Sequence, residues 1–321
     1  MFGRKILILI IVFCILIVCN AFLVPSIINV GSNLDSNIIF TSIRLPKTIT
    51  AICVGIGLSA CGFMLQQLFK NPLAGPYALG ISSGASLAVG IIIIGLPAFS
   101  FLELGIFKSL SIAFVGTLGA LGVLLIVLLV SFKYGYGYIL LLLGVVIGQI
   151  TGALQSLLDV LANPTDLKLF SLWSMGSFGK TTDVNLIILM GITCLCFVWS
   201  LRLMPALGTM ILGDETAKSL GVNTGNISIQ ILLCTGILTG VSTAFCGPIA
   251  FIGMAVPNVA KIIFKTANYK HLLLGTCLIG SIMALLCDTI SHLPVFSVYL
   301  PINVTTALIG GPIIIYILLK K

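Results

Sequence analysis

The sequence predicts an all-α polytopic membrane protein with about ten transmembrane helices. Hydrophobic residues make up 59% of its 321 residues and charged residues only 7%, whereas a soluble domain carries about 25% charged residues. Apolar runs of about 18 residues or more recur along the chain, and each is long enough to cross a bilayer. Because lipid offers no hydrogen-bond partners to the backbone, such runs must be helices.

The apolar runs form one predicted transmembrane permease domain over residues 1–321, because no break between them is long enough for a soluble domain. The first run would also suit a signal peptide, but it lacks a clear small-residue cleavage site and many spans follow it, so we interpret it as a span. The predicted spans cover about residues 5–26, 46–68, 79–97, 108–131, 138–161, 184–205, 227–247, 251–265, 271–290 and 300–319.

The distribution of basic residues predicts that both termini are cytoplasmic. An even number of spans places the termini on one side, and both termini are basic. The inner breaks and tails then hold Arg4, Lys5, Lys70, Lys133, Arg202, Lys218, Lys261, Lys265, Lys270, Lys320 and Lys321, and the outer breaks hold Arg44, Lys47, Lys108, Lys168 and Lys180. This excess of cations inside is what the positive-inside rule expects.

Composition also argues against two other classes of protein. The net charge of +8 comes from basic residues scattered singly between apolar runs, which is not a nucleic-acid-binding patch. The ten cysteines all lie inside apolar runs without a C-x-x-C pair, and the chain has only two histidines. We therefore expect no metal-ligand cluster and interpret the cysteines as small hydrophobic residues.

Polar segments at the ends of the spans are candidates for function. Arg44 and Lys47 lie one helical turn apart at the outer start of the second span, where they could dock an acidic partner or simply snorkel to the interface. A proline-rich turn at residues 71–76 precedes the serine-rich start of the third span, which contains Ser82 and Ser83. Such a segment suits either a ligand-facing helix start or a tight turn with close packing.

Two further segments interrupt the pattern of long helices. Residues 212–222 predict a short amphipathic cytoplasmic helix, with Asp214 and Glu215 near its N-terminus and Gly221 at the position that terminates a helix. Residues 247–253 are rich in Gly and Pro and predict a broken helix at the outer face. Breaks of this kind are tolerated where the backbone faces protein or a water-filled cavity.

The fifth span carries several polar side chains, two of which lie on the same face of the helix. Gln155 and Asp159 share a face at i, i+4, and Gln149 precedes them. Polar groups inside a span either line a pathway or make hydrogen bonds between helices, and the sequence leaves both interpretations open. Small residues recur at four-residue spacing in Gly80 and Gly84, in Gly144, Gly148 and Gly152, and in Gly236 and Gly240, which predicts a tightly packed bundle.

Together these segments resemble the iron-chelate, haem and cobalamin permease family of ATP-binding-cassette (ABC) importers. The resemblance rests on residues 44–90, 173–178, 212–222, 247–261 and 300–320, which occur in the family's order and spacing. It implies ten helices per subunit, a second permease copy or paralogue, two cytoplasmic ATPase subunits and an extracytoplasmic substrate-binding protein. It also implies the cytoplasmic membrane of a bacterium.

The resemblance also implies roles for particular residues. Binding-protein docking falls to Arg44, Lys47 and His292, with Lys47 and His292 standing where family members carry Arg. The coupling segment, about residues 206–222, would contact the ATPases through Asp214, Glu215, Thr216, Lys218, Ser219, Leu220 and Gly221. We expect the translocation path to include Ser82, Ser83, Gln149, Gln155 and Asp159.

The sequence predicts that this chain forms the path and does not hydrolyse ATP. It has no Walker motif, so we expect no bound cofactor, with ATP and Mg²⁺ held by the partner ATPases. The alternative is an ion-coupled secondary transporter, which would need carboxylates near the membrane midplane. Only Asp159 and Asp288 are candidates, and both lie toward the outer ends of their spans. An intramembrane enzyme is less favoured, because no His lies beside Ser83 in the predicted bundle.

Overall fold

The computed structural model describes residues 2–23, 40–95, 105–134, 138–181, 183–292 and 300–319. These residues form α-helices joined by short segments, with two π-helical turns and no strand among them. The helices are α1 Phe2–Val18, α2 Leu45–Leu68, α3 Ile81–Gly95, α4 Gly105–Tyr134, α5 Tyr138–Leu161, α6 Pro164–Ser174, α7 Asp183–Ile211, α8 Asp214–Ser219, α9 Thr224–Cys246, α10 Ile252–Phe264, α11 Tyr269–Ser291 and α12 Ile302–Leu319. The π-helical turns are Cys19–Leu23 and Phe40–Arg44.

The predicted all-α membrane fold is confirmed. Within the described ranges, eight helical segments are long and apolar enough to cross a membrane, and α3 and α10 are shorter apolar helices. All of them coincide with predicted spans. The exact number of crossings and the cytoplasmic termini remain predictions, and the terminal Lys320 and Lys321 lie outside the described residues.

Helix α2 lies at the centre of the bundle, packed against α7, α9, α10 and α11. Glycines allow two of these crossings to bring backbone against backbone. A Cβ atom added to Gly55 would overlap the backbone of Gly280 on α11, and one added to Gly62 would overlap that of Gly253 on α10. Close approach of this kind supplies packing energy in a membrane, where apolar side chains gain nothing from leaving lipid.

Helix α3 packs between α4 and α5, and here the predicted role of the small residues is only partly correct. Gly84 meets Gly119 of α4, and Gly144 of α5 meets Leu79 at the start of α3. Gly148 touches only the Ser83 hydroxyl, 3.7 Å from its would-be Cβ, and Gly152 has nothing within 4 Å. Gly84 and Gly144 are therefore packing contacts, whereas Gly148 and Gly152 leave space beside them.

The predicted break near residue 247 is also present. Helix α9 ends at Cys246, Gly247 adopts φ +78°, and α10 begins at Ile252. A side chain on Gly247 would overlap the Trp173 carbonyl at the end of α6, so only glycine fits there. The break therefore lies against α6, a short helix that the span pattern did not predict.

The two ends of the bundle are distinguished by their short helices. At the α6 end, Thr50 near the start of α2 lies 2.7 Å from Thr181, which follows α6 (Oγ1 to Oγ1). At the α8 end, Lys70 after α2 and Asp214 of α8 line one cavity of about 260 Å³. The predicted orientation would make the α6 end the outer face and the α8 end the cytoplasmic face.

Candidate functional site

A cavity of about 380 Å³ lies between α3 and α5. It follows α5 from Gly144 to Gln155, a length of about 16 Å at the helical rise. Its wall consists of Tyr77, Ala78, Ser83, Ser86, Leu87, Gly144, Val145, Gly148, Gln149, Thr151, Gly152, Gln155 and Pro248. Because Gly148 and Gly152 carry no side chain, they leave the space that forms its middle.

The lining is mainly apolar, with a smaller share of hydroxyl and amide groups, and contains no charged side chain among the described residues. Such a wall offers weak hydrogen bonds and no fixed charge, so a bound ligand would not be held tightly. Tyr77 and Gln149 are exposed on the single chain, which shows that the cavity opens to the side of the bundle. The arrangement fits one half of a passage rather than a closed binding pocket.

Four of the five predicted path residues lie at or beside this cavity. Ser83, Gln149 and Gln155 line it. Asp159 lies one turn beyond, where its Oδ1 accepts a hydrogen bond of 3.0 Å from Gln155 Nε2. This bond confirms that Gln155 and Asp159 share a face of the helix.

Ser82 is placed differently from the prediction. It is only 1% exposed, and its Oγ lies 3.4 Å from Thr243 Oγ1, which donates to it from α9. A hydroxyl at this position stabilises the contact between α3 and α9. Ser82 and Ser83 are neighbours on a helix and point about 100° apart, so only one of them can face the cavity.

Sequence reasoning missed several lining residues. Ser86 follows Ser83 by three residues, so helical spacing could have found it. Thr151 belongs to the same polar stretch of the fifth span as Gln149 and Gln155 and was one of its candidates for the path or for hydrogen bonds between helices. Pro248 comes from the break after α9, about 100 positions away from α5. The Gly- and Pro-rich break indicated a backbone that faces protein or a cavity, but nothing in the sequence linked it to α5.

At the α6 end, two of the three predicted docking residues, Lys47 and His292, lie in a buried polar cluster around Asp288. Lys47 Nζ lies 2.9 Å from Asp288 Oδ2, with the two side chains only 12% and 1% exposed. Asn20 Nδ2 donates to the same carboxylate at 2.6 Å, and its Oδ1 accepts a hydrogen bond from Thr48 at 2.9 Å. The cluster ties the π-helical turn after α1 to α2 and α11.

The positions of Lys47 and His292 differ from those of free rim cations. His292 lies 3.2 Å from Lys47 Nζ through Nε2 and 3.6 Å from Asp288 Oδ1 through Nδ1. Burial and the neighbouring ammonium lower the pKa of His292, against smaller opposing effects of the Asp288 carboxylate and backbone carbonyl. Arg44 is half-buried and donates to the Ala21 carbonyl at 3.3 Å. The carboxylate partner of Lys47 thus comes from within the chain.

At the α8 end, the predicted short helix is present and is terminated as expected. Gly221 adopts φ +83°, its N–H donates to the Lys218 carbonyl, and the Val222 N–H donates to the Ala217 carbonyl. This pair of bonds is a Schellman motif, which favours glycine at the left-handed position.

Helix α8 is exposed apart from the buried Ala217. The predicted coupling residues Asp214, Glu215, Thr216, Lys218, Ser219, Leu220 and Gly221 are all exposed. Leu212 and Leu220 flank the helix with 69% and 61% of their surface exposed. The two leucines therefore flank the charged, exposed face of α8.

Comparisons with known proteins identify the family of this chain. Residues 6–320 match the model of the FecCD transport family. The chain belongs to the FecCD transport family. The predicted family and its permease function are therefore confirmed.

Individual relatives match over most of their length. The chain is 35% identical over 288 residues to the hemin transport system permease protein HmuU of Yersinia pestis, covering 88% of this chain and 84% of the relative. It is 34% identical over 279 residues to the vitamin B12 import system permease protein BtuC of Salmonella arizonae, covering 87% and 82%. A solved ABC transporter of the metal-chelate type, in an inward-facing conformation, superposes with a TM-score of 0.85, 27% identity and coverage of 99% and 100%.

Membership of the FecCD transport family makes this chain a multi-pass membrane permease of an ABC transporter. Permeases of this type work with ATPase and permease partners.

Proposed function

We propose that the chain is the permease subunit of an ABC importer for an iron-siderophore, haem or cobalamin in the cytoplasmic membrane of a bacterium. One observation carries the proposal: an uncharged cavity runs along α3 and α5 and opens to the side of the bundle. A single chain cannot enclose a path there. A second permease copy or a paralogue, placed against α5, would complete the wall.

The outer surface of α5 supports this partner. Leu142, Val146, Ile150, Leu154 and Leu157 are exposed apolar side chains beside the cavity. In a membrane these residues face either lipid or another permease. Because Gln149 and Gly152 lie between them, the second copy would seal an aqueous path that lipid would otherwise enter.

The remaining partners are assigned to the two ends. Two ATPase subunits lie at the cytoplasmic end of the transporter and contact α8. ATP and Mg²⁺ are bound by these subunits. This chain binds no cofactor and catalyses no reaction. An extracytoplasmic substrate-binding protein docks at the α6 end, where Arg44 is partly exposed and Lys47 and His292 share Asp288.

Reconstitution tests the proposal directly. The permease is purified from its native membrane with the subunits that accompany it and inserted into liposomes. Uptake of haem, cobalamin and ferric siderophores is then measured with and without ATP. We expect ATP-dependent uptake of one ligand class in the presence of its binding protein. Uptake that follows an ion gradient without ATP would overturn the proposal in favour of a secondary transporter.

A further inference from the structure

Asn303, in the first turn of α12, connects three separate segments at the α6 end. Its Oδ1 accepts a hydrogen bond of 3.1 Å from the Ala250 N–H. Its Nδ2 donates to the Pro248 carbonyl at 2.6 Å and to the Ser174 carbonyl at 3.4 Å. One side-chain amide therefore joins α12, the break after α9 and the C-terminus of α6.

Only an amide of this length satisfies the set. The Asn303 Oδ1 accepts from a backbone N–H, while Nδ2 donates to two carbonyl oxygens. A carboxylate at this position would place an oxygen that cannot donate against those two carbonyl oxygens. The Asn303 backbone N–H also reaches the Met175 carbonyl at 3.4 Å. Carbonyls that α6 leaves unpaired at its C-terminus are thus paired with donors at the start of α12.

The same contacts fix the position of one part of the cavity wall. Pro248, held by Asn303, is the one lining residue of the cavity that comes from the break after α9. Ser177 after α6 donates its N–H to the Cys246 carbonyl at 2.9 Å. Helix α6 and the segment that carries Pro248 are therefore attached to each other on both sides of Gly247.

We propose that Asn303 is a positioning residue for transport, which makes α6 and the Pro248 wall move as one unit. The inference rests on the proposed path between α3 and α5. A displacement of α6 at the outer surface would carry Pro248 with it and change the width of the cavity. Without the amide, α6 moves independently and the wall loses its fixed position.

The test compares Asn303→Asp with the wild-type chain in the assembled transporter. Hydrogen exchange followed by mass spectrometry reports on peptides covering residues 172–178 and 247–251. Two hydrogen bonds are lost and replaced by repulsion, so we expect exchange there to be about tenfold faster or more. In the same preparation, the number of ATP molecules hydrolysed per ligand transported should rise. The reason is that a movement of α6 no longer moves the Pro248 wall of the cavity.

Asn268→Asp is the matched control. The Asn268 side chain caps α11 and, among the contacts of the described residues, acts as an acceptor for the N–H groups of Lys270 and His271, so a carboxylate serves equally well. Neither exchange nor coupling should change in this variant. If Asn303→Asp does not accumulate, Asn303→Ala removes both Nδ2 donations and also the acceptor for Ala250, without adding charge, and is measured in the same way.

The outcomes separate this inference from the proposed function. Unchanged exchange in both peptides would overturn the positioning role of Asn303. Faster exchange with an unchanged ratio of ATP to ligand would overturn its role in transport, while wild-type uptake would still support the permease. Absence of ATP-driven uptake by the wild-type transporter would instead overturn the proposed function, and the role in transport with it.

Discussion

Asp288 is the acidic residue at the centre of the polar cluster at the α6 end. Its carboxylate is buried and accepts from Asn20 and Lys47, with His292 beside it. A charge removed from water in this way is tolerated because an opposite charge and hydrogen bonds surround it. The positive charge that Lys47 could offer to a docking partner is therefore balanced within the chain.

Replacing Asp288 by Asn should destabilise the protein, because it leaves the Lys47 ammonium without a counter-ion. We expect a loss of about 3 kcal/mol, which is typical when one partner of a buried pair is removed. Thermal unfolding of the purified permease in detergent measures it. The double variant Lys47→Met, Asp288→Leu should regain much of the loss, and Lys168→Met, at an exposed lysine, should have little effect. Equal stability of Asp288→Asn and wild type would contradict the pairing.

Stability should also depend on pH through His292. Its pKa is lowered in the folded chain, so the unfolded chain binds the proton more readily. The contribution of neutral His292 is fully present above its ordinary pKa of about 6.5 and is lost as pH falls below that value. The melting temperature of the wild type should therefore fall more steeply below this pH than that of His292→Gln. Parallel curves would exclude His292 as the cause.

At the scale of single elements, α8 depends on one glycine. Gly221 holds the left-handed position after the helix, which other residues adopt at a cost of about 1 kcal/mol. Gly221→Ala should loosen the end of α8, and Glu215→Gln should weaken its charged first turn. In both variants we expect ATP hydrolysis to continue while uptake per ATP falls.

Gly225→Ala serves as the control for Gly221→Ala. Gly225 lies in the first turn of α9, and an added Cβ would meet Asn223 Oδ1 at an ordinary 3.6 Å. Coupling should stay normal in this variant. Normal coupling in Gly221→Ala as well would remove α8 from the proposed contact with the ATPases.

Helix α5 allows a second comparison, between two glycines on one face. Gly152→Leu extends into open space, so the protein should fold normally while ligand uptake falls because the cavity is filled. Gly144→Leu should destabilise the chain by about 3 kcal/mol or more, since the side chain would overlap the start of α3. Thermal unfolding and uptake of each variant distinguish the two effects. Full uptake by a well-folded Gly152→Leu variant would exclude this cavity as the path.

At the scale of the whole molecule, the sequence predicted the elements well and their mutual contacts poorly. Long apolar runs must form helices because lipid offers the backbone no other hydrogen-bond partners. Helix α8 ends just before Gly221, as the preference for glycine at the left-handed position predicts. Gly144 and Gly152 look alike in sequence, and only the position of α3 makes one a contact and the other a gap. The Lys47–Asp288 pair joins positions far apart in the chain, which no local pattern encodes.

Some residues of the candidate site were also predictable from the sequence and others were not. Ser83, Gln149 and Gln155 were predictable, because polar groups inside a span are few. Pro248 and Asn303 were not, because their contacts depend on how the break after α9 meets α6 and α12. Helix α6 was missed because its eleven residues, with Asp166 and Lys168 among them, are too short and too polar for a span.

The crossings of α2 with α10 and α11 have a mechanical consequence. Where Gly55 meets Gly280 and Gly62 meets Gly253, no flexible side chain lies between the two backbones. Such crossings cannot slide or repack by rotamer changes, unlike the side-chain layers that permit shear between helices. These three helices therefore form a closely packed frame. Helices α3, α5 and α6 pack mainly on one another and on α4 and α9 instead of on this frame, so we expect them to be the elements that move relative to it during a transport cycle.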